Sequence, residues 1–306
     1  MGIAFCGAGP AAIGPVIAAA RSGILQDFLR AGILFIETDV VGPGGMAHYR
    51  IPANSLGAAF LECLDELEGD VFDAVSQAPE TAALRHWADR YPPLSVVAAF
   101  LRRLGDAVAT LLRRHPDCAV VVGAAVTELD LRPAGDGVDI VAEATADGTR
   151  TTYTADRVVI AMGGHPMSDH DTAQLTPELS LAPYRTKVCH SESFVDQRRA
   201  LPREMLAAIR DTGRVTIVGS AHSAWSVAAL LLTHDTYAGP DGPPGITLLH
   251  RRPVRLFYQS VEEATADGYM FDPVLDVCAA SGRVNRFGGL RGPAKVLAQA
   301  ALVRCP

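Results

Sequence analysis

The sequence predicts an α/β protein built around two strand–turn–helix–strand units, and three observations carry that reading. Two turns that begin with glycine, at residues 7–12 and 219–224, each follow a short apolar run and open an alanine-rich or apolar stretch. Between them, from Cys118 onward, the hydrophobic period changes from helical to alternating. A chain of 306 residues also has room for two modest cores.

Gly2–Cys6 reads as a buried strand, Ala11–Ala20 as a helix and Ala31–Thr38 (AGILFIET) as the next strand, so residues 2–38 form one βαβ unit. Residues 55–115 are mostly helical. Leu56, Phe60, Leu64 and Leu67 recur at helical spacing, as do Val97, Phe100, Leu101, Leu104 and Val108, and Pro92–Pro93 divides the two groups. AVVVGAAV, GVDIVAEA, TRTTYTA and DRVVIAM then read as successive strands of a meander, the last of them buried. Residues 165–185 are polar and proline-containing, as suits a connection. Arg214–Gly219 opens the second unit, with a helix over Ser223–Leu232, the loop GPDGPPG and a strand over Ile246–His250. The domain expectation is therefore 1–165 with a helical insertion at about 55–115, a connection over 166–212, and a second domain over 213–306.

The formal charge of −7 argues against a general nucleic-acid or anionic-membrane binder, which needs a basic face to displace counterions. The first twenty residues are uncharged, but Gly7, Gly9, Pro10, Gly14 and Pro15 break the run and no basic start precedes it. The expectation is a soluble, cytoplasmic protein. Six cysteines (Cys6, Cys63, Cys118, Cys189, Cys278, Cys305) show neither a CxxC pair nor zinc spacing, so no metal site and no dithiol redox centre is expected.

Gly7-Ala8-Gly9-Pro10-Ala11-Ala12 has the form G-x-G-x-x-(G/A). Gly7 suits a tight turn, Gly9 lets a pyrophosphate reach the backbone, and Ala12 keeps helix and strand close. Pro10 and Ala11 would lie in the first helical turn, where N–H groups and the dipole favour anions. Glu37 ends the next strand, where a carboxylate accepts from both hydroxyls of an adenosine ribose and repels a 2′-phosphate; FAD or NAD fits, NADP does not. The alternative is a turn that merely packs helix on sheet.

Further segments extend the pattern in order: VGPGG (41–45), VVIAMGGHP (158–166), VCHSESF (188–194), VTIVGSAHSAWSVA (215–228) and ITLLHRRP (246–253). Together they resemble the pyridine-nucleotide-dependent flavoproteins, most nearly the class B flavin monooxygenases, which include N-hydroxylating and Baeyer–Villiger enzymes. The resemblance implies two Rossmann-like dinucleotide-binding domains: a glutathione-reductase-like FAD domain with helical insertion and meander, and an NAD(P) domain. It implies FAD at the first turn, with Gly44, Gly45 and Met46 beside it, and Ala161 and Gly163 in the turn after the meander, where Met162 replaces a threonine. His190-Ser191 stands where that family often has a His-Ser pair. Of its longer fingerprint, F-x-G-x-x-x-H-x-x-x-(W/D), His190 is kept, while Tyr184, Thr186 and Phe194 hold the other positions. His190 reads equally well as a surface histidine.

In the second turn Gly219, Ser220, His222 and Ser223 could hold phosphate, although Ala221 replaces the second glycine. The resemblance implies a nicotinamide nucleotide here. Arg251 and Arg252 end the partner strand where an acidic residue would select NAD, and two guanidiniums suit a 2′-phosphate, so NADPH is expected. A solvated basic loop is the alternative.

His48, Tyr49 and Asn54 lie in MAHYRIPANSL (46–56), which follows the glycine loop and could contact flavin or a small-molecule substrate; alternatively Tyr49 and Arg50 hold the loop while Asn54 or Ser55 caps the next helix. No catalytic residue can be assigned, which fits cofactor-borne chemistry. The resemblance implies hydride transfer from NADPH to FAD, then oxygenation of a small amine or carbonyl compound through a C4a-(hydro)peroxyflavin. A flavin oxidase or dehydrogenase with a structural second domain, or a non-catalytic nucleotide-binding protein, remains open, as does a homo-oligomer. Residues after Arg252, including the basic RFGGLRG (286–292), show no return segment to the FAD domain, which leaves a shortened FAD site, a truncated chain or lost turnover.

Overall fold

The structure is a computed structural model that describes residues 1–133, 135–164, 174–176 and 178–302. The chain divides into two compact units, Met1–Tyr49 with Leu56–His165, and Arg50–Ser55 with Pro166–Pro306.

The first unit is built on a parallel sheet. Strands β1 (Ile3–Cys6), β2 (Ile33–Glu37), β3 (Ala119–Val122) and β7 (Arg157–Ile160) stand in the order β3-β2-β1-β7. Helices α1 (Pro10–Arg21) and α2 (Leu25–Arg30) connect β1 to β2. The central strands IAFC and ILFIE are apolar up to the terminal Glu37 because both faces of the sheet are covered there. Ala4, Cys6, Leu34 and Ile36 form one core with Ala124, Ile140, Ala142 and Ala155 of an antiparallel meander, β4 (Ala124–Leu131), β5 (Val138–Ala144) and β6 (Arg150–Ala155). Strand alternation turns Phe5 and Phe35 to the opposite face, where their rings meet edge-on at 5.2 Å. Burying each such ring contributes roughly 1.5–3 kcal/mol.

Two details differ from the sequence reading. AVVVGAAV is two strands: Gly123, at φ +78°, turns the chain from the parallel sheet into the meander. The last strand of that series, β7, is an edge rather than a buried strand. Among the described residues it pairs only with β1, and Ile160 is 66% exposed.

The helical insertion comprises α3 (Gly57–Leu61), α4 (Asp70–Ser76), α5 (Pro79–Arg85) and α6 (Leu94–Arg114). The last is 21 residues long and buries Val97, Phe100, Leu101, Leu104, Val108 and Leu112 along one stripe. Its interior glycine has a structural reason. A Cβ on Gly105 would lie 2.2 Å from the Val41 carbonyl oxygen, and one on Gly42 (φ +113°) would lie 2.1 Å from that of Leu101. The loop after β2 thus crosses α6 backbone to backbone. The N-cap of α3 is Leu56, with no side-chain cap bond, so neither Asn54 nor Ser55 caps that helix.

In the second unit, β10 (Arg214–Val218), α9 (His222–Thr233) and β11 (Gly245–Leu249) form a parallel strand–helix–strand unit with Arg214 opposite Gly245. Before it come a short hairpin, β8 (Gln174–Thr176) with β9 (Leu179–Ser180), and helices α7 (Glu192–Val195) and α8 (Arg203–Thr212). After it come α10 (Val261–Ala266) and α11 (Gly292–Leu302). Trp225 of α9 shares a core with Val254, Leu256, Tyr258, Ala264, Val284, Leu290 and Ala298, so the C-terminal segment packs onto this strand–helix–strand unit. Arg50 anchors its short stretch here: its N–H donates to Val195 O (2.9 Å), its Nε to Phe194 O (2.8 Å) and its Nη2 to Tyr237 Oη (2.9 Å). The fully buried Asp196 carboxylate is held by Arg198 and Arg199. Among the described residues no helix is long and apolar enough to cross a membrane.

Candidate functional site

The first glycine turn lies at the carboxyl end of β1, with β2 and β7 on either side of it. Strand order reverses there, and open α/β sheets bind ligands in such a crevice. Gly7 has φ +92°, and a Cβ on it would lie 2.5 Å from the Ala161 carbonyl oxygen. The Ala161 N–H donates to Cys6 O at 2.7 Å, so the turn after β7 is laced to the end of β1. Gly9 caps α1 with no side-chain bond, followed by Pro10 at the first helical position. Ala12 is fully buried, as close helix–sheet packing requires, while Pro10 and Ala11 are exposed at the helix start. A Cβ on Gly9 would come within 3.6 Å of the Gly44 Cα, and the Gly42 N–H donates to Ala8 O at 2.8 Å. Two glycines, Gly9 and Gly44, therefore face one another over the end of the sheet. Gly44, Gly45 and Met46 begin a short 3-10 turn, Gly44–His48, that also carries His48, with Tyr49 next. Gly163, at φ +74°, is exposed with open space beside it.

Glu37 is fixed before any ligand arrives. Its Oε2 accepts the Ala8 N–H at 2.6 Å, and its Oε1 accepts Thr38 N–H (2.8 Å), Thr38 Oγ1–H (2.9 Å) and Asp39 N–H (3.2 Å). A carboxylate offers about four acceptor sites in all. Oε1 is fully used, and the capacity left for a hydroxyl lies on Oε2, beside the glycine turn. The donor set fits an adenosine dinucleotide: an uncapped helix start, a side-chain-free approach and an oriented acceptor.

The second turn is built differently. Gly219 has φ +117°, a Cβ on it would meet no atom within 4 Å, and its N–H donates to Leu249 O at 2.8 Å. Ala221 caps α9 without a side-chain bond, Ser220 is half-buried and Ser223 is exposed at the helix start. His222 is turned inward: its Nε2 accepts the Arg291 backbone N–H at 3.0 Å. Burial, and then the Arg291 charge, hold its pKa below the ordinary histidine value. Arg251 and Arg252 are exposed, and His250 Nδ1 lies 2.7 Å from Arg252 O across the turn after β11.

The predicted substrate-side residues divide between the two units. His48 and Tyr49 belong to the first unit, whereas Asn54 is exposed on the stretch Arg50–Ser55 of the second. His190 is half-buried, its carbonyl accepting the Ser193 N–H at 3.0 Å. Phe194, at the last fingerprint position, is a core residue against Tyr237 (5.7 Å). His165 and Pro166 of VVIAMGGHP, and Cys305, lie outside the described residues. The sequence reading missed Gly105, Asp196 and the His222–Arg291 link. A glycine inside an otherwise strongly amphipathic helix was the signal for the first; the other two depend on tertiary contacts.

The fold and the turn geometry define the class: the chain has a class B flavin monooxygenase-like fold. It superposes on the FAD-bound cadaverine monooxygenase DfoA of Erwinia amylovora with a TM-score of 0.52 and 16% identity, over 98% of this chain and 64% of that one. The ornithine hydroxylase PvdA of Pseudomonas aeruginosa gives a TM-score of 0.48 at 16% identity, over 87% of this chain and 58% of that one. In sequence, the chain is 40% identical over 296 residues to the CMP-5′-(3-aminopropyl)phosphonate hydroxylase of Streptomyces rubellomurinus. That alignment takes in 96% of this chain and 66% of the relative, so the chain spans just under two thirds of the relative's length. No protein-family model matches.

Proposed function

We propose that this protein is a flavin-dependent, NADPH-using monooxygenase that hydroxylates the amine of an aminoalkylphosphonate carried on a nucleotide. The observation that carries the reading is the 40% identity, along almost the whole chain, to a hydroxylase named for such a substrate. The balanced reaction is R–NH2 + O2 + NADPH + H+ → R–NHOH + H2O + NADP+. Bound FAD would activate oxygen and bound nicotinamide would supply the hydride.

The chain's own residues bind and orient. The first turn of α1, with Gly7 and Gly9, receives the FAD diphosphate, Glu37 Oε2 takes a ribose hydroxyl, and Gly44–Met46 with Ala161 and Gly163 flank the cofactor. The turn Gly219–Ser223 receives the NADPH diphosphate, and Arg251 and Arg252 its 2′-phosphate. His48 and Tyr49 are the substrate-side candidates of the first unit. The two units thus act as two Rossmann-like nucleotide domains. Six scattered cysteines suit a reducing cytoplasm, where NADPH is available.

The test is a visible spectrum of the purified protein, taken before and after anaerobic NADPH with NADH in parallel. Turnover is then followed by mass spectrometry on CMP-linked and free 3-aminopropylphosphonate. A flavin band bleached faster by NADPH, and a product one oxygen heavier, are expected. Failure of the protein to bind added FAD sinks the reading.

A further inference from the structure

The motif RFGGLRG has no place in the function so far, yet the structure ties it to the second glycine turn. His222, the first residue of α9, accepts the backbone N–H of Arg291 through Nε2 at 3.0 Å. The Arg291 side chain is held as well: its guanidinium carbon lies 4.0 Å from the centre of the Phe257 ring, and its Nη2 donates to Arg286 O at 2.6 Å. The Phe257 N–H donates to Leu290 O and the Leu290 N–H to Arg255 O, which pins the loop from the other side. A Cβ on Gly289 would lie 2.6 Å from the Phe257 nitrogen, so this glycine allows the loop to lie against residues 256–257. A guanidinium stacked and hydrogen-bonded in this way has lost its rotamer freedom before it meets an anion, and its planar five-donor fork matches phosphate geometry.

The neighbouring turn, Gly-Ser-Ala-His-Ser, carries no lysine or arginine of its own. Ala221 stands where the second glycine would admit a pyrophosphate to the backbone. We infer that Arg291, positioned by His222, is a further binding residue for the diphosphate of the nicotinamide nucleotide, and that it offsets the missing glycine. The inference rests on the proposal that the α9 turn binds NADPH. It assigns a positioning role to His222, whose ring is committed to the tether rather than to phosphate. Because the tether uses the backbone of Arg291, replacing its side chain removes the charge and leaves the anchor.

The experiment is calorimetric titration of NADP+ and NAD+ into the purified, FAD-loaded protein, comparing wild type with Arg291→Ala, Arg291→Lys, His222→Ala and His222→Gln, with each variant's flavin content and melting temperature recorded. Arg291→Ala is expected to weaken both nucleotides by roughly 10- to 100-fold, since both carry the diphosphate, with flavin content unchanged. Arg291→Lys should recover part of the loss. His222→Ala should weaken binding less, and His222→Gln, whose carbonyl can accept the same N–H, should recover part of it. Wild-type binding that Arg291→Ala leaves intact overturns the inference while the parent proposal stands. A wild type that binds neither nucleotide removes the parent proposal and the inference together. A loss confined to NADP+ also overturns it, because it would place Arg291 on the 2′-phosphate.

Discussion

At the first glycine turn the chain is walled in. Gly7 abuts the Ala161 carbonyl, Gly9 faces Gly44, and the sheet beneath has four strands whose central pair is buried. At the second, Gly219 stands in open space, the sheet has two strands among the described residues, and Val218 beside the turn is 82% exposed. The same local motif therefore rests on different supports. The first is shaped by exclusion at Gly7, where a side chain would collide with the Ala161 backbone. The second is shaped by specific tethers, with His222 and the basic loop near it supplying order that packing does not.

Glycine replacements should separate the two most sharply. Gly7→Ala puts a methyl into the Ala161 carbonyl at a left-handed φ and should cost about 3 kcal/mol or more, with loss of bound flavin. Gly219→Ala meets only the backbone strain, about 1–2 kcal/mol. Denaturant unfolding of each variant measures both, and equal losses would break the contrast.

A smaller effect is expected at the partner strand. Replacing Arg251 and Arg252 together with alanine should lower the preference for NADPH over NADH by about tenfold, read as the ratio of anaerobic flavin-reduction rates. Flavin content, which the proposed function assigns to the first unit, should not move.

Acidification should loosen the second turn before the first. The folded-state pKa of His222 is lowered, so the folded protein binds fewer protons there than the unfolded chain. Its contribution to stability is complete above the ordinary histidine value of about 6.5 and declines as pH falls through that value toward the lower folded one. Melting temperatures between pH 8 and pH 5 should fall less for His222→Gln than for wild type.

The smallest contrast lies in the thiols. Burial raises the pKa of Cys6, Cys63 and Cys118 in the first unit. Hydrogen bonds from Ser281 and then Arg286 lower that of Cys278 to about 7. At neutral pH, Cys278 should be alkylated ahead of those three, as peptide mapping after brief iodoacetamide treatment would show.

The elements that could be read from sequence were those whose pattern is local. Both strand–turn–helix units, the amphipathic α6 and the meander announce themselves through period and glycine placement. The position of β7 at an edge was not readable, because an apolar run looks the same with one neighbour or two. The bonds that fix Glu37 were half legible. Its position at the end of β2 follows from spacing, but the Ala8 N–H donor emerges only when two loops meet. His222 was read as part of a helix start whose N–H groups could hold phosphate; that its ring accepts the N–H of a residue 69 positions away is a link no motif encodes.

The crossing of Gly42 and Gly105 has a consequence for how the first unit responds to its surroundings. A contact made by leaving atoms out carries no charge and no donor, so neither salt nor pH has a handle on it. The ion pairs on this unit's surface weaken as ionic strength rises, whereas the crossing keeps its geometry. A side chain added at either glycine would force the same two backbones apart, so the second addition should cost less than the first. The loop that carries Gly44 and Gly45 is in this sense indexed on α6 like a key on its shaft, by a notch rather than by glue.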